Sequence, residues 1–328
     1  MNLVTGGGGF IGSHLVETLL ANKEEVRVLE LSNTDLQHLP LDRIDLVRAD
    51  IRDRSAVDKA TRDCDFVYHL AADPNLWRKN TSEFDAINHQ GALNVLHSAL
   101  DNGATRVIHT STESILTSSD FDGGAVEELE LQESEMIGPY CLSKFHADQA
   151  ALNLGKQGEP VIVVCPTLPV GPGDRGLTPP TRMALAFCRG ELPAYLDCRF
   201  NLIDVRDIAE GMVAAMNKGV PGIRYLLGSE NYHLGDWLEM LGNEINRAKP
   251  SHTVPYELAL SVAWFSENWA RYVTGKMPMA TITGVKLTQR SMHFDPSSSL
   301  AALGLNPRPV QESASDTVAW FKSTGMLN

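Results

Sequence analysis

The sequence predicts an α/β fold, a doubly wound parallel sheet with a smaller, discontinuous C-terminal portion. Three observations carry that expectation. Short β-rich runs alternate with helical stretches through the first two-thirds of the 328 residues. A glycine-rich turn, "TGGGGFIGSH" from Thr5 to His14, joins the first run to the first helix. Past Cys165 the alternation gives way to a proline- and glycine-rich segment and then mostly to helix. Repeated strand, helix, strand means parallel strands covered by helices on both faces. Ligands of such sheets sit at the carboxyl ends of the strands.

In order, strands are expected at 3–5, 26–30, 46–47, 66–70, 106–110 and 161–164, with helices at 14–21, 55–61, 81–102 and 140–155. The segment "PTLPVGPGDRGLTPP" (166–180) reads as a loop without regular structure. A helix at 181–189, a short strand at 200–203, a helix from Asp207 and a strand at 224–227 follow. From Gly228 the chain reads as mostly helical, with Trp237, Trp264 and Trp269 as packing anchors. Residues 1–165 and 205–227 would form the nucleotide-binding sheet. Residues 166–204 and 228–328 would close over the strand ends and choose the substrate.

The composition, 43% hydrophobic and 21% charged, is that of an ordinary globular protein. A formal net charge of −13 argues against a nucleic-acid partner. The five cysteines are odd in number and contain no CxxC pair, so they read as reduced thiols of a cytoplasmic protein. Asn2-Leu3-Val4 runs into glycines with no basic lead, so no secretory signal is expected. The most membrane-like stretch, "LALSVAWF" (258–265), is far short of the roughly 20 residues a span needs and reads as an amphipathic helix packed on the protein, in preference to one in contact with a membrane.

Gly6, Gly9 and Gly12 stand three apart where a strand ends and a helix begins. The first glycine permits the turn, the second admits a pyrophosphate to the backbone, and the third lets helix pack on strand. The helix then offers its N-terminal N–H groups and positive dipole end to the phosphates. Without a lysine the loop is no triphosphate-hydrolysing P-loop. Glu30 lies 18 residues beyond Gly12, near the roughly 20 expected for the carboxylate that holds the adenosine ribose hydroxyls. A carboxylate there accepts from the hydroxyls of NAD and repels the 2′-phosphate of NADP, so NAD is favoured. Asp50 and Ile51, after the next strand, suit the adenine edge, with Asp50 equally readable as a helix cap.

Tyr140-Cys-Leu-Ser-Lys144 is the second signal. Positions four apart share a helical face, so an ammonium can stand beside a phenol and lower its pKa towards working pH. This pair follows a strand that ends "HTST" (109–112).

The glycine loop, "HLAA" (69–72), Asn88, "TST" (110–112) and "YCLSK" (140–144) together resemble the extended short-chain dehydrogenase/reductase superfamily. Within it the chain is similar to the NAD-dependent epimerase/dehydratase and dihydroflavonol-reductase-like branch. "AADPNLW", "MIGPYCLSKFHAD", "PTLPVGPGD", "LPAYLD" and "LGLNPRPVQESASDTVAWF" look closest to the group called hopanoid-associated sugar epimerases. The resemblance implies a Rossmann-type sheet, Tyr140 as catalytic acid/base, Lys144 on the nicotinamide ribose and Thr112 bonded to the reacting oxygen. It also implies cofactor contacts at Phe10, Ile11, Leu70, Ala71, Ala72, Thr110, Pro166 and Thr167, with Asn88 supporting the site. Helices 81–102 and 140–155 resemble those of the family's usual homodimer.

Two departures bear on the substrate. Related dehydratases have Thr-Asp-Glu where this chain has Thr112-Glu113-Ser114, so dehydration is disfavoured. Nucleotide-sugar enzymes carry an arginine that clamps the diphosphate; here Phe200 takes that place and Arg199 is one residue out of register, which in a strand flips the side chain to the other face. Asp73, Trp77, Glu113, Arg175 and Arg182 are candidate substrate contacts, each also readable as packing or a solvated charge. His69 and His109 read as satisfied histidines near the cofactor, and no metal is expected. "VEELELQESE" (126–135) reads as a solvated loop. The favoured function is NAD-dependent hydride transfer between nicotinamide and a secondary alcohol or ketone of small-molecule size. The alternative is epimerisation of a sugar through a transient keto intermediate. A non-catalytic nucleotide sensor is disfavoured by the surviving Tyr–Lys pair.

Overall fold

The structure, a computed structural model, describes residues 1–117, 129–290 and 292–327. Strands β1 (Asn2–Thr5), β2 (Val26–Glu30), β3 (Asp45–Arg48), β4 (Phe66–His69), β5 (Arg106–Thr110) and β6 (Val161–Pro166), with a late strand, β9 (Arg224–Leu227), form one sheet. Its seven strands run in the order β3-β2-β1-β4-β5-β6-β9, and every pairing is parallel. The order reverses between β1 and β4, which opens a crevice beyond their carboxyl ends.

Alternation along each strand feeds two cores. Leu3, Val67, Val107 and Val163 face α2 (Arg54–Thr61), α4 (Ala92–Asp101) and α5 (Gly138–Lys156). Their neighbours Val4, Tyr68, Ile108 and Val164 face α1 (Phe10–Ala21) and α7 (Val205–Lys218). All six residues of β6 are buried, which explains its unbroken aliphatic run. The helix expected at 81–102 is composite: α3 (Ser82–Phe84), a π-helical turn (Asp85–Gly91) and α4. At the far edge, buried Arg224 donates from Nη2 to Asp148 Oδ2 at 2.6 Å, joining β9 to α5.

A second, three-stranded sheet contains β7 (Leu168–Val170), β8 (Arg199–Asp204) and β10 (Glu230–His233) in the order β10-β8-β7. With α6 (Pro179–Arg189), α8 (Leu234–Asn243) and α12 (Val310–Ser323) it encloses a third core. α9 (Tyr256–Trp269) runs into a π-helical turn (Ala270–Thr274) and returns as α10 (Ile282–Leu287); α11 (Ser297–Leu303) follows. Among the described residues no helix is long and apolar enough to cross a membrane.

Several expectations change. The segment 166–180 does hold regular structure, because Leu168–Val170 pairs in parallel with β8. The largely helical remainder contains a strand, β10, antiparallel to β8. Trp237 is buried as expected, but Trp264 and Trp269 are exposed and anchor nothing. Residues 126–128 of the acidic segment lie outside the described residues; Glu133–Glu135 forms a 3₁₀ turn.

Candidate active site

A cleft of about 850 Å³ opens along the carboxyl ends of β1 to β6. Of the sequence candidates, Gly6, Gly9, Phe10, Ile11, Gly12, Glu30, Asp50, Ile51, Leu70, Ala71, Ala72, Thr110, Pro166 and Thr167 line it. Thr112, Glu113, Tyr140, Lys144, Arg175 and Arg182 do so as well.

The glycine turn is built for a close-fitting ligand. Gly6 has φ +72°, and a Cβ there would come within 2.8 Å of the Ala71 nitrogen. At Gly12 a Cβ would overlap the Gly6 carbonyl oxygen. Gly9 differs: a Cβ there meets only that carbonyl oxygen, at 3.3 Å, so its bare side gives onto the cleft. Helix α1 begins at once, with Gly9 as N-cap and no side chain covering its free N–H groups. These are the open donors a pyrophosphate needs. Glu30 borders them. Its Oε2 accepts from Gly8 N at 3.1 Å, and its Oε1 from Leu31 N at 3.0 Å and Thr34 Oγ1 at 3.2 Å. Deeper in, Thr110 Oγ1 is buried without a partner on the cleft lining. Exposed N–H groups, a carboxylate fixed beside them and an orphaned hydroxyl fit a dinucleotide.

Other candidates are engaged differently from expectation. Asp50 lines the cleft, but its carboxylate is gripped by Arg52, with Nη2 to Oδ2 at 2.6 Å. The cap of α2 is Asp53 instead, accepting from Ser55 N and Ala56 N. Asn88 does not line the cleft. It sits buried in the π-helical turn, where its Oδ1 accepts from Asp73 N at 2.7 Å and its Nδ2 donates to Asp73 O and Ser143 Oγ, both at 3.2 Å. It therefore braces the loop after β4 against α5. Asp73 and Trp77 also stay out of the cleft. Asp73 is buried and bound by Arg78 and Asn75, and Trp77 is packed away with Nε1 unpartnered.

Near the end of β5, Thr112 Oγ1 donates to Glu113 Oε2 at 3.0 Å and lies near Ser114 Oγ at 3.2 Å. Burial drives the acidities here. It pushes the Glu113 carboxyl up to about 7 and raises the phenol above its ordinary value, against the pull of Thr112. It lowers Lys144 to about 8. The sequence placed the ammonium beside the phenol; in the structure Lys144 Nζ donates to the Thr110 carbonyl at 2.7 Å. His69 is held neutral, near 3, by burial, and its Nδ1 meets Thr5 Oγ1 at 2.8 Å. Buried His109 is lowered likewise, with both ring nitrogens unpartnered.

The opposite wall is apolar around Phe200, with the cations of Arg175 and Arg182 also on its lining. Phe200 faces the cleft, while Arg199 turns away and donates from Nε to exposed His233 Nε2 at 3.1 Å. Buried Asp174 accepts from Thr178 N and Oγ1, shaping the loop that carries Arg175. Leu177, Met183, Leu287 and Met292 complete this wall. The sequence reading missed them. Phe200 was detectable by strand alternation, but nothing local marks α10 as a cleft element. One group with metal-capable donors, Asp85, His89 and His146, has its ligand atoms within 4.8 Å of one another, outside the cleft lining.

The sequence profile of the NAD dependent epimerase/dehydratase family matches residues 2–228. A Synechocystis protein provisionally named a dihydroflavonol 4-reductase is 34% identical, the match covering 99% of this chain and 95% of that one. "Sterol demethylase protein B" of Methylococcus capsulatus is 27% identical over 99% of both chains. The crystal structure of gox2253 superposes with a TM-score of 0.86 at 31% identity, covering 100% of this chain and 99% of that one. DesIV, a dTDP-glucose 4,6-dehydratase of Streptomyces venezuelae crystallised with NAD, gives 0.80 at 25% identity, covering 100% and 98%. A Rossmann-type cleft with a dinucleotide cradle, matched by a family profile over most of the chain, settles the assignment: the chain belongs to the NAD dependent epimerase/dehydratase family and is an NAD-dependent enzyme.

Proposed function

We propose that the enzyme reduces a ketone, or in reverse oxidises the matching secondary alcohol, with Tyr140 exchanging the proton, Thr112 holding the reacting oxygen and Lys144 anchoring the nicotinamide end of the cofactor. Bound NAD supplies the hydride exchange at the substrate carbon. Gly9 and the free amides of α1 would hold its pyrophosphate, and Glu30 its adenosine ribose. The carrying observation is that Thr112, Tyr140 and Lys144 line the same cleft wall, with Lys144 one helical turn along α5 from Tyr140. The phenol is protonated at neutral pH, as an ordinary tyrosine is, so its Oη can give a proton to a carbonyl oxygen, which is the reductive direction. The phenolate left behind regains a proton from solvent. Lys144, still mostly cationic below about 8, offsets its charge. Neither full-length relative is named for a nucleotide sugar, and Phe200 occupies the place of a diphosphate clamp.

The test supplies purified protein with NADH and a panel of ketones. Product and oxidised cofactor accumulating in equal amounts support the reading. Interconversion of two sugar epimers with no net change in the cofactor would replace it with epimerisation. We also infer a homodimer built on the outer faces of α4 and α5, where Leu93, Leu142 and Gln149 are half-buried; a monomer by light scattering would overturn this. Five buried, unpaired cysteines suit a reducing compartment such as the cytoplasm.

A further inference from the structure

The hairpin of α9, its π-helical turn and α10 is built inside out by size. Ala259, Ala263 and Ala270 are buried on its inner side. Outward, Leu258, Val262, Phe265, Trp269 and Tyr272 recur at helical spacing as an exposed stripe. Phe265 is 69% exposed, Trp264 56%, Tyr272 78% and Met279 86%. Nine of the thirteen large hydrophobic side chains exposed among the described residues fall between 258 and 279. Singly exposed apolar residues are ordinary, but a contiguous aromatic patch marks a contact surface.

Charge selects what that contact is. The chain as a whole carries −13, yet among the described residues of the hairpin, 256–290, the exposed charges are three cations, Arg271, Lys276 and Lys286, against one acid, Glu257 at the start of α9. The other acid of the hairpin, Glu267, is half-buried with its Oε1 accepting from Ile282 N at 2.7 Å. Aromatic side chains at the apolar level with flanking Lys and Arg are the chemistry of a membrane interface. We propose that this hairpin seats the enzyme on a bilayer containing anionic phospholipid, aromatic face down, with its cations at the headgroup phosphates.

The surface continues into the cleft. α10 packs on α9 and sends Gly284 and Leu287 to the cleft lining that Phe200 and Met183 share. Resting on the reading of the cleft given above, the substrate class is an apolar, membrane-borne ketone or secondary alcohol, entering along the wall formed by α10.

Flotation with vesicles tests this. Full-length protein should rise with vesicles of equal parts phosphatidylcholine and phosphatidylglycerol, and much less with phosphatidylcholine alone. Partitioning should fall about tenfold or more in Phe265→Ser/Tyr272→Ser and in Arg271→Glu/Lys276→Glu. NAD affinity and turnover of a water-soluble ketone should be unchanged in all of them. Protein that stays in the aqueous fraction overturns the proposal, as does equal partitioning of the variants. So does a wild-type oligomer that dissociates in the Ser variant, which would mean that a second copy covers the patch. Vesicle binding without ketone turnover would sink the proposed reaction while leaving the docking intact.

Discussion

The glycine turn 6–12 and the hairpin 256–290 border the same cleft, and both depend on small residues, for opposite reasons. In the turn, Gly6 and Gly12 are small because the backbone crosses itself: a Cβ at either would strike main-chain atoms of neighbouring segments. In the hairpin, Ala259 and Ala263 are small because α10 lies against them, and the bulk has moved to the outside. The first constraint is local and leaves a spacing in the sequence. The second is tertiary, and its spacing reads the same whether the large or the small face is the buried one. Only packing tells them apart.

The largest effect expected lies on the sheet-side wall. Tyr140→Phe removes the proton while keeping the ring, so turnover should fall by about 10²–10⁴ with NAD affinity retained in calorimetry. Near-normal turnover would move the acid elsewhere, with buried Glu113 the first candidate. Next is the pH dependence that Glu113 itself imposes. Its folded value, about 7, stands above the ordinary 4.5, so the folded state binds the proton more tightly than the unfolded one. That stabilisation is whole below about 4.5 and is lost as pH rises through about 7, up to about 3 kcal/mol in all. Thermal melts of Glu113→Gln across this window should be flatter than those of the parent. Parallel profiles would mean the carboxyl is not held as the structure has it. Gly12→Ala comes third. Crowding of one methyl against the Gly6 carbonyl should cost roughly 1–3 kcal/mol, read as weaker NAD binding by about ten- to a hundredfold, where the hairpin variants show no change.

The same division explains what could be read in advance. The order of the main sheet follows from alternation of runs and from handedness, and β6 announces itself by four consecutive aliphatic residues. The cradle follows from three glycines and Glu30. Lys144 was harder: spacing puts it on the face of Tyr140, but only the fold reveals the Thr110 carbonyl that takes its ammonium. For Asp73 and Trp77 contact and packing were equally open, because position after a strand says nothing of which way a loop folds, and the structure has packing. Asn88, from a neighbouring helix, pulls that loop inward. β7 hid between prolines, which suit an edge strand with few partners. α10 left no trace at all, since a six-residue helix far along the chain enters the cleft only through its packing on α9.

The smallest effect is the one that separates the two readings of the substrate. Arg199 sits at the start of β8, one residue from the cleft-facing Phe200, and alternation along the strand turns it outward to exposed His233. An exposed pair of this kind contributes less than about 1 kcal/mol. Arg199→Ala should therefore leave KM, kcat and melting temperature within about twofold and a degree or two of the parent. Phe200→Arg is the sharper partner experiment, because it puts a cation in place of the aromatic ring on that wall. If the substrate is an apolar ketone, that charge raises KM by an order of magnitude or more, since a hydrated guanidinium replaces an apolar contact. If instead the natural substrate carries a diphosphate, the same substitution lowers KM and Arg199→Ala raises it, and the apolar wall would have to be reread as one that rearranges around a nucleotide.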